Sequence, residues 1–306
     1  MIKKKLSEIA LLFVAFVWGA TFVIVQHAIQ ALPPFSFNAI RFLLAGLLLL
    51  LICIWKEKGK LQITLHTIIP GFILGLCLFT GYTFQTIGLL YTTPAKAGFI
   101  TGLSVVLVPI LSYFMLKHRA ETGAIIGSIL AAVGLYLLAV KNSEPFSLGD
   151  LLVLISAFGF AFHILCTDRF SRHISVLLVT TIQILTVSLL SFISAFLLEN
   201  WRRSFSANVL LTNEMIMALF ITAILATAAA FFIQTIAQRF TTPSRVAIIL
   251  TMEPVFAAIT SFLWIHEKIN TAGLLGCLLI LIGMVFTEIP FEFLRKRHKK
   301  TIELPK

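Results

Sequence analysis

The chain has 306 residues, 59% of them hydrophobic and only 12% charged, with 24 Lys+Arg against 13 Asp+Glu and a formal net charge of +11. That apolar content lies well above the roughly 45–50% of soluble domains and excludes disorder. Cys53, Cys77, Cys166 and Cys277 all fall in apolar stretches without CxxC spacing, which excludes a disulfide scaffold.

Crossing the hydrocarbon takes about 20 apolar residues in a helix. In chain order, stretches that qualify lie near 7–30, 35–55, 67–90, 94–116, 121–140, 149–170, 175–198, 213–238, 243–265 and 270–289. The reading is an all-α membrane protein of ten transmembrane helices. The first stretch is too long for a signal-peptide core and is followed by nine more, so it is expected to be retained. The longest connections, near 56–66 and 199–212, are too short for a soluble domain.

The basic residues sort by side. With the N-terminus inside, eighteen Lys and Arg fall on the inner segments and five on the outer loops, leaving Arg41 within a span. Basic residues collect on the cytoplasmic side, so both termini are expected there, in the cell membrane. The run RKRHKK (295–300) reads as a juxtamembrane lipid anchor within a basic cytoplasmic tail, 290–306, rather than as a nucleic-acid patch.

The sequence repeats itself. Shifted by 149, residues 85–134 align without a gap on 234–283, with 14 of 50 positions identical. QTIGLLYTTP (85–94) lies on QTIAQRFTTP (234–243), and Gly127 and Gly134 lie on Gly276 and Gly283. WGATF (18–22) and FGFAF (158–162) are a weaker echo at an offset of 140. The repeats are expected over 1–140 and 149–289, five spans each. Five is odd, so the second copy enters the membrane from the other side. Such inverted repeats underlie alternating access in many secondary transporters.

At WGATF, AIRFLLAGLLLL (39–50), EPVFAAITSFLWIHEKI (253–269) and the tandem five-span layout, the chain resembles the EamA-type family of the drug/metabolite transporter superfamily. Lys117-His118 stands where the family usually has Gly-Glu, and the second copy has His266-Glu267. The resemblance implies transport of a small metabolite, amino acid or drug through a central cavity, commonly by export.

Ionisable residues inside spans are costly and mark function by default. Glu253 lies about 15 Å into its span, near the midplane. Pro254 follows it and cannot donate to the carbonyl of Leu250, so a helix break is expected there. A Glu beside a freed carbonyl suits a substrate ammonium group or a proton. A structural hydrogen bond to a neighbouring helix is the alternative. Pro109 is expected to break the fourth span in the same way, by freeing the carbonyl of Val105. Arg41, about 9 Å from the outer surface, can snorkel outward or grip a carboxylate. Gln183 is its expected repeat mate.

Gln85 and Gln234 are repeat mates that can bond across helices. Trp18, Phe22, Tyr82, Phe158 and Phe162 are candidate cavity walls, and His163 could titrate. Gln26 and His27 sit near the outer end of the first span. A channel or lipid-scrambling scaffold shares these helices but needs no alternating access. An intramembrane enzyme would need convergent catalytic groups, and only one carboxylate is deep; no HExxH, GxSxG or ATP-binding loop occurs. No cofactor or metal is implied. The expected partners are a small-molecule substrate and membrane lipids, and a homodimer is compatible with the pattern.

Overall fold

The computed structural model describes residues 2–56, 64–92, 94–117, 120–139, 147–172, 174–265 and 270–288. The tail expected at 290–306 lies outside these residues, as do His118, His266 and Glu267. The described chain is helical, joined by short turns.

The first helices are α1 (Ile2–Ala31), α2 (Pro34–Lys56) and α3 (Leu65–Gly88). A path in two pieces follows, α4 (Pro94–Gly102) and α5 (Ser104–Leu116), then α6 (Thr122–Ala139), α7 (Leu148–Ser171) and α8 (Val176–Leu198). Two single turns, α9 (Trp201–Ser204) and α10 (Ala207–Leu210), lead to α11 (Asn213–Ala223), a π-helical segment (Ile224–Ala229) and α12 (Ala230–Ala237). A second broken path, α13 (Pro243–Leu250) and α14 (Met252–Ile265), precedes α15 (Thr271–Glu288).

Eight of these paths are long and apolar enough to cross a membrane. Thr122–Leu138 and Thr271–Thr287 are shorter apolar helices. At 1.5 Å per residue, 18 residues of α6 or α15 reach about 27 Å, slightly less than the hydrocarbon thickness. Leu51, Trp55, Phe114 and Leu197 are 65–83% exposed, an apolar coat of the kind lipid covers.

Small residues set the closest helix contacts. α6 and α15 run antiparallel with Gly127 against Gly283 and Gly134 against Gly276. A Cβ built at Gly127 or Gly134 would sit 2.5 Å from the carbonyl oxygen of the facing glycine. No side chain fits there, and the close approach gains dispersion contact where lipid supplies no hydrophobic drive. The two contacts exchange when residues are shifted by 149.

The two short helices also mark which ends lie together. Glu8 near the start of α1, Glu121 before α6 and Arg245 in α13 meet in one cluster, and Thr287 at the end of α15 packs by Gly127. This end of the bundle is called the terminal face below. At the opposite face, Glu199 closes α8 and accepts from the backbone N–H groups of Phe35 (2.7 Å) and Ser36 (2.9 Å) and from the Ser36 hydroxyl (2.6 Å). These are orphan donors of the first turn of α2, so one helix caps its neighbour.

Candidate functional site

Between α1, α2, α3, α4, α7, α12 and the α13–α14 junction lies a cavity of about 870 Å³ empty volume, its open mouth included. Trp18, Arg41, Tyr82, Gln85, His163, Gln234, Glu253 and Pro254 all line it, and so does Phe22. Residues separated by more than two hundred positions thus face one space.

Tyr82 is the hub of the aromatic wall. Its ring meets Phe42, Phe160 and Phe231 at centroid distances of 5.0, 5.2 and 6.0 Å, all edge to face. Trp18 lies 5.3 Å from Phe231, and the His163 ring meets Phe231 at 5.8 Å. Phe231 stands 149 residues after Tyr82, so extending the repeat three residues upstream of its QTI triplet would have found it. Phe160 was missed in favour of Phe158 and Phe162. Those two are 40% and 36% exposed on the outer side of α7 and do not line the cavity. Along a helix Phe160 points away from both, toward the interior.

Arg41 does not snorkel. It is only 3% exposed, and its guanidinium lies 5.1 Å from the Tyr82 ring and 5.3 Å from that of Phe42. Its Nε donates to Thr227 Oγ1 at 2.7 Å, and Nη2 reaches the Ala226 carbonyl at 3.4 Å. Trp18 Nε1 donates to that same carbonyl at 2.8 Å. Both acceptors belong to the π-helical segment, where Thr227 Oγ1 itself donates to the Thr222 carbonyl five residues back. π-segments turn backbone groups off the regular ladder and cluster at functional sites. Nothing in the run ILATAA (224–229) announces one.

Glu253 begins α14, and its carboxylate makes no hydrogen bond or ion pair among the described residues. The path is interrupted at Thr251, whose hydroxyl donates to Ile248 O at 2.5 Å. Pro254 sits in the first turn of α14, where a missing N–H costs little, and its absence leaves the Leu250 carbonyl without its usual donor. Gly19 of α1 presses on this turn; a Cβ there would lie 2.4 Å from Glu253 O.

The first broken path corrects the expectation for Pro109. α5 runs through Pro109 unbroken, and the interruption falls at Leu103, where Val106 and Leu107 N–H groups restart the ladder on the Leu103 carbonyl. A single lost bond is tolerated inside a membrane helix held by its neighbours. Gly102, which lines the cavity and packs on Leu135, is the weaker helix former at the observed break. Leu103 and Thr251 lie within one residue of equivalence under the 149-residue shift. Pro109 does not line the cavity.

The remaining polar candidates differ in their partners. Gln85 Nε2 donates to Thr101 Oγ1 at 3.2 Å, tying α3 to α4, while buried Gln234 Oε1 has no partner among the described residues. His163 Nε2 lies 3.0 Å from Gln183 Oε1, which can only accept, so this ring nitrogen is the donor. Gln183 serves His163 in the fold, rather than facing the cavity as Arg41 does. Gln26 and His27 do not line the cavity, and His27 is exposed. No group of three or more metal-ligating side chains occurs among the described residues.

These long apolar helices define a multi-pass integral membrane protein. The EamA-like transporter family model matches residues 5–140 and again 147–289. An uncharacterized transporter of Archaeoglobus fulgidus is 33% identical over 289 residues, covering 94% of this chain and 87% of that protein. The uncharacterized transporter YetK of Bacillus subtilis is 27% identical over 302 residues, covering 94% and 89%. A solved crystal structure superposes with a TM-score of 0.75 at 19% identity over 90% of this chain and 94% of that one, a likeness of fold alone. The chain belongs to the EamA-like transporter family.

Proposed function

We propose that this protein is a secondary transporter that moves a small metabolite, amino acid or drug outward across the cell membrane by alternating access. In this reading two inverted five-helix repeats surround the cavity, both termini are cytoplasmic, and the terminal face is the inner one. One observation carries it: two helical paths are interrupted at repeat-related positions, Leu103 and Thr251, and both interruptions edge the one cavity that Arg41, His163 and Glu253 line. Paired broken helices around a midplane site are the arrangement alternating access uses. The exchange of the Gly127–Gly283 and Gly134–Gly276 contacts under the same shift supports the two-fold relation.

Within that cavity Arg41 is committed to the π-segment and two aromatic rings, and Glu253 is the uncommitted charge. Glu253 therefore takes the substrate's ammonium group or the coupled proton, and the aromatic wall takes an apolar or flat body. The test is counterflow in proteoliposomes, with substrates drawn from a metabolite and drug panel that compares knockout with overexpressing cells. Exchange stimulation that falls at least about ten-fold in Glu253→Gln, with expression intact, is expected. Solute flux without exchange stimulation would make the protein a channel. Unchanged kinetics in Glu253→Gln would remove the role given to Glu253.

A further inference from the structure

The two short helices that end at the interruptions, α4 and α13, are each tied down at their far ends by an ion pair. Lys96, the third residue of α4, lies 3.7 Å from Asp150 near the start of α7. Arg245, the third residue of α13, lies 3.8 Å from Glu8 near the start of α1 and 2.9 Å from Glu121. Lys96 and Arg245 are 149 residues apart and so are repeat mates. Asp150 and Glu8 stand near the starts of the helices that carry FGFAF and WGATF. One bridge is at the terminal face and the other at the opposite face. Each joins one half of the sequence to the other: α4 to α7, α13 to α1.

The bridges are partly dry. Side-chain exposure is 16% and 3% for Lys96 and Asp150, and 9% and 14% for Arg245 and Glu8. Pairs this sheltered are strongly felt when one partner is removed, because the other charge is left stranded. Asp150 is further fixed by Thr92, whose hydroxyl donates to Oδ1, and by the Ser147 N–H, which donates to Oδ2 at 2.9 Å.

We propose that α4 and α13 are the two gates of the cavity, each hinged at its interruption and latched at its outer end by its repeat-related ion pair. This rests on the alternating-access reading above. The hinges are Leu103 and Thr251. A Cβ built at Gly98 of α4 would stand 3.6 Å from Pro254 of α14, just past the second hinge, so the first gate reaches the second broken path at the cavity. Releasing a latch lets its half-helix swing on the hinge and opens that face.

Both latches are formed in this structure, so neither gate has swung on its hinge in it. Arg245 also meets Glu121, and Asn270 occupies the position equivalent to Glu121.

The experiment places a reporter in the cavity, Thr21→Cys, in a background with the four native cysteines replaced by alanine. A membrane-impermeant maleimide is applied to right-side-out and to inside-out vesicles, so labelling reports access from each face without any substrate. With both latches formed, the parent should label slowly from either face. Glu8→Gln should raise labelling from the terminal face by about ten-fold or more, and Asp150→Asn should raise it from the opposite face by a similar factor. Lys96→Gln, which leaves the Thr92 and Ser147 bonds to Asp150 in place, should shift labelling as Asp150→Asn does, which separates a latch from a capping defect. Slow labelling of the parent that neither variant changes would overturn the latches and leave alternating access standing. A shift in the same direction by both variants would do likewise. Fast and equal labelling of the parent from both faces would overturn alternating access, and the latches with it.

Discussion

Gly19→Ala isolates the contact that holds Glu253 in place. The added Cβ would sit 2.4 Å from Glu253 O, 2.8 Å from Ala257 N and 2.9 Å from Phe256 Cβ. Two of the three neighbours are backbone atoms, which cannot swing aside. Real Cβ contacts essentially never fall under 3.0 Å, so α1 and α14 must part by at least about 0.6 Å. Overpacking of this kind costs roughly 1–3 kcal/mol, and the displaced turn carries Glu253 with it. Misplacement of about 1 Å at a working site can cost a hundred-fold in rate. Gly46→Ala is the matched control. Its Cβ would also meet an atom at 2.4 Å, but that atom is the tip of the Leu185 side chain, which can rotate. Thermal unfolding in detergent and counterflow in proteoliposomes should show Gly19→Ala less stable and at least ten-fold slower, with Gly46→Ala near the parent in both. Equal behaviour of the two variants, or a parent-like Gly19→Ala, would refute the reasoning.

Other outcomes follow from the buried polar network. Thr227→Val removes the acceptor of Arg41 Nε and strands a guanidinium N–H, at a cost of about 1–3 kcal/mol in detergent unfolding, whereas Thr227→Ser keeps the hydroxyl and should stay close to the parent. A Thr227→Ser variant as unstable as Thr227→Val would show that the methyl group, not the hydroxyl, matters there. Glu199→Ala leaves the Phe35 and Ser36 N–H groups without their acceptor and should destabilise by about 1–2 kcal/mol, with faster hydrogen exchange confined to the start of α2. Faster exchange spread evenly over the chain would mean that this cap is not what holds that helix end.

Much of this was legible in the residues because it depends on local composition. A stretch such as 176–198 is helical and apolar whatever surrounds it, since a backbone in hydrocarbon must satisfy its own hydrogen bonds. The 149-residue repeat paired Gln85 with Gln234 and Lys96 with Arg245 from letters alone. Glu253 and Arg41 stood out because a charge in an apolar run is expensive. The position of Pro254 after Glu253 placed a break within three residues of the observed one.

What the sequence left open depends on contacts between distant segments. Pro109 looked like a break, but the helix holds there and yields at Leu103, because neighbouring helices decide whether one missing bond is tolerated. Arg41 looked free to snorkel and instead lies on Tyr82, held by Thr227. Phe158 and Phe160 differ by two residues, yet only helix packing decides which faces lipid and which faces the cavity. The π-helical segment has no letter of its own, since a shifted hydrogen-bond register is stabilised by its partners, Trp18 and Arg41, from two other helices. By itself the sequence determined which residues are costly to bury and that the chain crosses a membrane many times. Only the tertiary structure decided which of them share a cavity, because burial and pairing belong to pairs of segments and not to any one of them.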